Sequence, residues 1–290
     1  MVKNRGTFVM RSIEDMFSKR LSSLYTEKEA RELARICLQE VLSCSFSQLL
    51  MQSPLSLSDE QKSRIDNLLS RLTVGEPWQY VLGKADFCGL QFAVSPSVLI
   101  PRPETAELVE WIASDCVGKK VSVLDVGTGS GCIAVSLAHL LPLAQVSAVD
   151  VSDEALVMAE RNAADNKCEV SFSVFDVLKD SLPIDAVFDV IVSNPPYVCN
   201  SERSDMHINV LGFEPSLALF VPDEDPLLFY RSIAHLALLH LADGGRVFFE
   251  INERFGCQVQ NLLLNLGFCE VQVRKDLEGK DRMVAARFNA

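Results

Sequence analysis

From about residue 120 onward the chain alternates between short β-like runs and helical patterns, and that alternation leaves few architectures open. The β-like runs cover residues 121–126, 145–149, 169–175, 188–193 and 245–251, with helical patterns at 133–141, 154–164 and 226–241. Parallel neighbours need a crossover connection, so this order predicts a parallel sheet covered by helices on both faces. Two last runs, 270–273 and 283–288, are joined by Lys275-Asp276-Leu277-Glu278-Gly279-Lys280-Asp281. That connection is too short for a crossover helix, so these strands are expected to be antiparallel. The expectation is an α/β fold with a seven-stranded, Rossmann-like sheet.

Residues 1–73 read as helical. Thr26 with Glu29 and Ser58 with Gln61 form two capping-box patterns. The first opens a stripe of Ala30, Leu33, Ala34, Cys37, Leu38 and Val41, the second a stripe of Ile65, Leu68, Leu69 and Leu72. Each stripe needs a partner, which predicts a small N-terminal helical domain with a packing or substrate-docking role. Residues 74–100, punctuated by Gly75, Pro77, Gly83 and Gly89, read as a β-hairpin linker. Residues 101–290 are the expected catalytic domain. It opens on Pro101-Arg102-Pro103-Glu104-Thr105, whose prolines hold the chain extended ahead of a helix with Leu108, Val109 and Ile112.

Composition removes several classes of function. There are 27 Lys and Arg against 39 Asp and Glu, a net charge of −12. Affinity for nucleic acid comes mostly from phosphate neutralisation by basic residues, so no direct nucleic-acid partner is expected. The 9 cysteines are odd in number and contain no C-x-x-C pair, which predicts reduced thiols and a cytoplasmic protein. The first residues lack the apolar stretch of a signal peptide. The longest apolar run, 132–144, is broken by His139 and Pro142 and falls short of the ~20 residues a membrane helix needs, so no membrane association is expected. The 4 histidines show no ligand spacing, and no metal is expected.

The chemistry lies where strands end. Val123-Leu124-Asp125-Val126-Gly127-Thr128-Gly129-Ser130-Gly131-Cys132 takes a strand into a glycine loop and the loop into a helix. Missing Cβ atoms let a ligand approach the backbone, and a helix N-terminus offers N–H groups to an anion. A dinucleotide site uses G-x-G-x-x-G, whose third small residue would fall on Cys132; here the spacing is G-x-G-x-G. Asp125 disfavours a pyrophosphate and suits an ammonium. S-adenosylmethionine carries both an ammonium and a carboxylate, so Gly127, Thr128, Gly129, Ser130 and Gly131 suit it better than NAD. Asp150, ending the next strand, is placed to accept ribose hydroxyls. Asp176 and Val177 follow the third strand and are placed to meet the adenine, with Asp176 accepting from its exocyclic amine.

The most specific element is Asn194-Pro195-Pro196-Tyr197 at the end of the fourth strand. Pro195 forces Asn194 into an extended conformation, and neither proline can donate. The Asn194 side-chain oxygen and the Pro195 carbonyl then form a rigid pair of acceptors suited to a planar NH₂. Tyr197 is expected to stack on the flat group that carries it.

This motif behind this glycine loop resembles the class I S-adenosylmethionine-dependent methyltransferases, and more narrowly the bacterial release factor glutamine methyltransferases. Further similar blocks are Gly75-Glu76-Pro77 with Tyr80 and Gly83, Leu99 to Thr105, Glu214-Pro215, and Asp276-Leu277 with Gly279, Asp281 and Arg282. The resemblance covers residues 75–288 and implies a class I methyltransferase sheet. It implies methylation of the Gln side-chain amide in the Gly-Gly-Gln loop of peptide chain release factors 1 and 2, with S-adenosylhomocysteine as product, by a monomer. Residues 127–131 would hold the methionine part, Asp150 the ribose, Asp176 and Val177 the adenine, and Asn194 to Tyr197 the amide, with Asn194 also touching the cofactor. Residues 102–105 would border the cofactor. The chain departs from the family pattern at Asn252, usually glycine, at Glu253-Arg254-Phe255, which lacks the usual glutamine, and at Val177, often aromatic. The rival reading is a methyltransferase acting on exocyclic amines of DNA or RNA, which present the same planar NH₂.

Overall fold

A computed structural model describes residues 5–51 and 56–289; residues 1–4 and 52–55 of the expected helical region lie outside them. The chain divides into two compact units, Met1–Gly83 with His207–Phe213, and Lys84–Met206 with Glu214–Ala290.

The first unit holds helices α1 (Arg5–Arg20), α2 (Glu27–Leu42), α3 (Phe46–Met51), α4 (Asp59–Thr73) and α5 (Trp78–Leu82). Both capping boxes form. The Thr26 amide donates to Glu29 Oε2 at 2.8 Å, and the Ser58 amide to Gln61 Oε1 at 2.9 Å. Every residue of the α2 stripe is buried, in one core with Phe17, Leu21, Ile65, Leu69 and Leu72. The sequence suggests only β-like runs around Gly83, yet residues 78–82 make one helical turn. Pro77 precedes it and Gly83 ends it at φ +73°. Arg71 holds the turn in place, donating to Glu76 Oε2 at 2.8 Å, to the Val81 carbonyl at 2.9 Å and to the Tyr80 carbonyl at 3.0 Å.

The second unit begins with the hairpin β1 (Lys84–Phe87) and β2 (Leu90–Ala93), so the boundary between units falls before the hairpin. There follow α6 (Pro103–Cys116), β3 (Ser122–Val126), α7 (Cys132–Leu140), β4 (Gln145–Asp150), α8 (Asp153–Asp165), β5 (Val170–Val174) and β6 (Phe188–Ser193). After β7 (Val198–Cys199) come the one-turn helices α9 (Ile208–Leu211) and α10 (Ser216–Leu219), and then β8 (Phe220–Val221). The unit ends with α11 (Leu228–His240), β9 (Leu241–Glu250), α12 (Gly256–Asn265), β10 (Cys269–Lys275) and β11 (Asp281–Arg287). Helix α9 belongs to the first unit, where Asn209 Nδ2 donates to the Tyr25 hydroxyl at 2.7 Å.

The main sheet has seven strands in the order β10-β11-β9-β6-β3-β4-β5. Strands β3, β4, β5, β6 and β9 are parallel, and β11 is antiparallel to both β9 and β10. The strands alternate between two cores. Val123, Val190, Val192 and Phe248 face one with Leu108, Ile112 and Ile133; Leu124, Ile191, Val247 and Phe249 face the other with Tyr230, Ile233 and Val259. Burial on both faces is why these strands read as continuous apolar runs. Strand β9 starts at Leu241, directly after α11, and its pairing with β6 shifts register near Phe188 and Val190.

From β3 the chain winds outward through β4 and β5, then crosses back to β6 on the other side of β3. A crevice opens at the carboxyl ends of strands where the winding reverses in this way. One buried side chain ties the hairpin to this edge. Asn162 of α8 accepts from the Ala93 amide at 2.7 Å and donates to the Ala93 carbonyl at 3.0 Å and the Ser130 carbonyl at 2.8 Å. Asn162→Leu leaves these groups unpaired, and a loss of about 3 kcal/mol is expected from penalties of about 1–3 kcal/mol per stranded group. Urea unfolding should show a lower midpoint at unchanged slope; an unchanged midpoint would contradict the assignment.

Candidate active site

A cavity of about 290 Å³ opens at this carboxyl edge. Its walls come from four strand ends: Val126 to Ser130 after β3, Asp150 to Ser152 after β4, Phe175 to Val177 after β5, and Ser193 to Pro196 after β6. Further walls come from Pro96 to Leu99 with Pro101 and Arg102 ahead of α6, Thr105 of α6, Pro215 with Leu217 of α10, and Phe229 with Ile233 of α11. Of the residues singled out from sequence, Gly127, Thr128, Gly129, Ser130, Asp150, Asp176, Val177, Asn194, Pro195 and Pro196 line this cavity together. Gly131 and Tyr197 are not among its lining.

The glycine loop is pinned to the end of β4. The Gly127 and Thr128 amides donate to the Val149 carbonyl at 2.8 and 3.0 Å, and the Gly129 amide donates to Asp150 Oδ2 at 2.8 Å. These loop amides are consumed inside the fold. N–H groups for an anion are therefore left to the first turn of α7, where Cys132 and Ile133 line the cavity. The loop itself presents bare backbone and the Ser130 hydroxyl, which is buried without a hydrogen-bond partner. Gly131 acts behind the loop, at φ +79°: a Cβ there would stand 3.0 Å from Ala159 Cβ, so glycine lets α8 pack against the start of α7.

Asp150 accepts from the Gly129 amide through Oδ2 and from the Ser152 amide at 3.0 Å through Oδ1. Burial pushes its carboxyl above the ordinary value, against the pull of these amides. Its carboxylate faces the cavity and retains acceptor capacity beyond these amides. Asp176 is likewise bonded once on each oxygen. Its carboxylate accepts from Lys179 Nζ at 2.7 Å and from the Leu178 amide at 2.9 Å, and these bonds hold its carboxyl below the ordinary value. Beside Asp176, Val177 and the buried Phe175 supply apolar walls.

A chain of hydrogen bonds runs behind Asn194. Asn194 Nδ2 donates to Thr105 Oγ1 at 3.2 Å, and Thr105 Oγ1 donates to Glu250 Oε2 at 2.6 Å. The Tyr197 hydroxyl donates to Glu250 Oε1 at 3.0 Å, and the ring packs against the α11–α12 core. Tyr197 was expected to stack on substrate; it braces the loop from behind. Glu250 is 1% exposed, and burial pushes its carboxyl up while Thr105 and Tyr197 pull it down. Asn252, where glycine was expected, donates to the Tyr197 carbonyl at 3.3 Å and accepts from the Arg254 amide at 3.0 Å, so it steadies the same loop.

Comparison with known proteins follows the same geography. Models of a methyltransferase small domain and of a PrmC N-terminal domain match residues 104–211 and 15–83. A release factor glutamine methyltransferase of Flavobacterium psychrophilum is 42% identical over 97% of this chain and 99% of its own. The chain belongs to the release factor glutamine methyltransferase family. Another member, from Bacteroides thetaiotaomicron, is also 42% identical, over 96% of this chain and 99% of its own. A methyltransferase structure from Pyrococcus furiosus covers 80% of this chain and 100% of its own at a TM-score of 0.51 and 18% identity, a likeness of fold.

Within this methyltransferase site, sequence reasoning missed Glu250 as a partner of Thr105 and Tyr197, and the apolar walls from Phe175, Phe229 and Ile233. The Glu250 signal was a carboxylate ending an apolar strand. Among the described residues no His, Cys, Asp and Glu group is gathered for a metal, and no helix is long and apolar enough to cross a membrane.

Asp125, just ahead of the loop, is fully buried and accepts from Thr128 Oγ1 at 2.6 Å. Burial pushes its carboxyl up to about 7 against that hydrogen bond. Unfolded, it releases its proton near pH ~4. Between these values the folded state holds the extra proton, so stability contributed by this group falls as pH rises from about 4 to about 7. Asp125→Asn keeps an acceptor for Thr128 and removes the titration. Melting temperatures across that window should decline less steeply in the variant; parallel profiles would remove Asp125 as the source.

Proposed function

We propose that the chain transfers a methyl group from S-adenosyl-L-methionine to the side-chain amide nitrogen of the Gln in the Gly-Gly-Gln loop of peptide chain release factors 1 and 2, leaving S-adenosyl-L-homocysteine. On this reading it works in the cytoplasm as a monomer, with the release factors as its partners. The observation that carries the reading is that Asn194 and Pro195 both line the cavity, at the strand end next to the glycine loop.

The lining suits the cofactor. Asp150 has lone pairs for the ribose, Phe175 and Val177 offer apolar walls for the adenine, and the glycine loop with Ser130 meets the methionine part. Asp176 lines the same wall, and with one bond on each oxygen, from Leu178 and from Lys179, its carboxylate keeps acceptor capacity for the exocyclic amine of the base. When bound, the cofactor supplies an electrophilic methyl on a sulfonium.

The chain must make a poor nucleophile react. An amide nitrogen delocalises its lone pair into the carbonyl. Asn194 Oδ1 and the Pro195 carbonyl accept the two N–H hydrogens, which favours positive charge building on nitrogen and aims its lone pair. Proximity and orientation then account for most of the rate, and the apolar wall favours a step in which charge is dispersed. As the N–C bond forms, the methyl's bond to sulfur breaks and its electron pair stays on sulfur; the nitrogen then gives one hydrogen as a proton to solvent, which returns the product to a neutral amide.

The direct test is transfer of labelled methyl to a purified release factor, beside a release factor whose loop Gln is replaced by Ala. Label should enter the first, resist nuclease, be lost on proteolysis, and be absent from the second; nuclease-sensitive label would favour the nucleic-acid reading. Asn194→Ala should cut turnover by ~10²-fold or more while cofactor affinity holds, because an orienting contact is lost. Full turnover in that variant would end the acceptor assignment. Asp150→Ala should weaken cofactor binding by ~10-fold or more, as expected for a lost charge-assisted contact of about 1.5–3 kcal/mol. Titration calorimetry measures it, and unchanged affinity would remove the ribose role.

A further inference from the structure

We propose that Glu250 and Thr105 are positioning residues that decide which end of the Asn194 carboxamide meets the substrate amine. The inference rests on the reading of Asn194 as an acceptor and asks what makes it one. A carboxamide has an oxygen and an NH₂ of nearly equal size, and a half-turn of the group exchanges them. With NH₂ presented to a substrate NH₂, the contact is donor against donor. Nothing in Asn194 itself selects the productive face.

The selection comes from a carboxylate two bonds away. Thr105 Oγ1 lies 3.2 Å from Asn194 Nδ2, and a hydroxyl has one proton to give. Glu250 Oε2, 2.6 Å from Thr105 Oγ1, takes that proton, because a carboxylate only accepts. The second Glu250 oxygen is satisfied by the Tyr197 hydroxyl at 3.0 Å. Thr105 then has only lone pairs left to offer Asn194, and Asn194 must answer with its NH₂. Its oxygen is thereby released for the substrate. Burial favours a neutral Glu250, and the Thr105 and Tyr197 hydroxyls with the nearby Arg282 charge oppose it, while Glu104 adds to the rise. The three groups sit on three elements: Glu250 ends β9, Thr105 is in the first turn of α6, and Asn194 follows β6. Glu250 itself is not among the cavity-lining residues, so it acts through Thr105 and not on substrate.

The polarity of the chain makes the test specific. In Glu250→Gln the side chain keeps its shape, but its NH₂ can donate to Thr105 Oγ1. The Thr105 proton is then free to go to Asn194 Oδ1, and the carboxamide turns over. The single-turnover methyl-transfer rate with release factor should fall ~10²-fold, the scale of a misoriented reacting group. Thr105→Val keeps volume and removes the relay, with an expected fall of ~10-fold or more; Thr105→Ser keeps the hydroxyl and should stay within about 3-fold of the wild type. Cofactor affinity by calorimetry should stay near wild type in all three. Thr105→Val strands a buried Glu250 oxygen and should lower the melting temperature, so rates are compared at a temperature where every variant is fully folded. In an Asn194→Ala background, Thr105→Val should cost nothing further.

Wild-type rates in both Glu250→Gln and Thr105→Val, with Asn194→Ala inactive, would overturn the relay and leave the acceptor role of Asn194 standing. Full activity in Asn194→Ala would instead overturn the acceptor reading itself. If Glu250→Gln does not fold, the contrast between Thr105→Val and Thr105→Ser decides: equal rates refute the relay, and a loss confined to valine supports it.

Discussion

The site depends on one topological constraint, the reversal of winding at β3. Because β4 and β5 lie on one side of β3 and β6 on the other, the glycine loop and Asn194 leave adjacent strand ends. They are also bonded together there: the buried Ser193 hydroxyl donates to the Val126 carbonyl at 2.6 Å. This bond joins the last residue of β6 to the last residue of β3, one position before Asn194 and one before Gly127. The spacing between a group held by the loop and a group held by Asn194 is thus set by sheet geometry, which is stiff, and not by loop conformation.

Around that edge the protein buries carboxylates at a cost. Asp125, Asp150 and Glu250 all end or nearly end strands, and burial raises the carboxyl of each. What offsets the cost differs in each case and points to what each does. Asp150 is satisfied by backbone amides of the glycine loop and of Ser152, so it fixes backbone while keeping lone pairs for a ligand. Asp125 accepts through Oδ2 from a hydroxyl of the loop it precedes, while its buried Oδ1 has no hydrogen-bond partner. Glu250 is satisfied by two hydroxyls from distant segments, Thr105 and Tyr197, and so gathers α6, β9 and the loop after β6 into one network. A fully bonded buried network specifies one arrangement more sharply than apolar packing does, since any alternative strands a charge.

The parts of this arrangement legible in the sequence are those encoded locally. The glycine loop, Asp150 and Asn194-Pro195 declare themselves because each is a strand end followed by a turn of unusual composition, and alternating strands and helices supply the sheet. The five residues of α5 are too few to show a period, and their helix depends on Arg71 reaching the Val81 and Tyr80 carbonyls. The start of β9 was hidden because Gly244 and Gly245 interrupt its pattern, although Leu241 already pairs with Phe188. The Glu250 network joins residues 145 and 53 positions apart, a relation no local window contains. Tyr197 is ambiguous in sequence for a related reason: its ring could serve a substrate or the core, and its bond to the distant Glu250 shows in no local window.

The need for such stiffness follows from the nucleophile. An amine attacks through a lone pair that is already localised, and a loosely held one still reacts. An amide nitrogen has its lone pair shared with the carbonyl, so reactivity rises only while both N–H bonds are held by acceptors in the plane of the group. An acceptor free to turn over would spend part of its time as a donor and oppose the same step. The Pro195 carbonyl has no such freedom, because proline fixes its backbone and lacks an N–H. The Asn194 carboxamide does have it, and this asymmetry explains why the hydrogen-bond chain through Thr105 to a buried carboxylate stands behind Asn194.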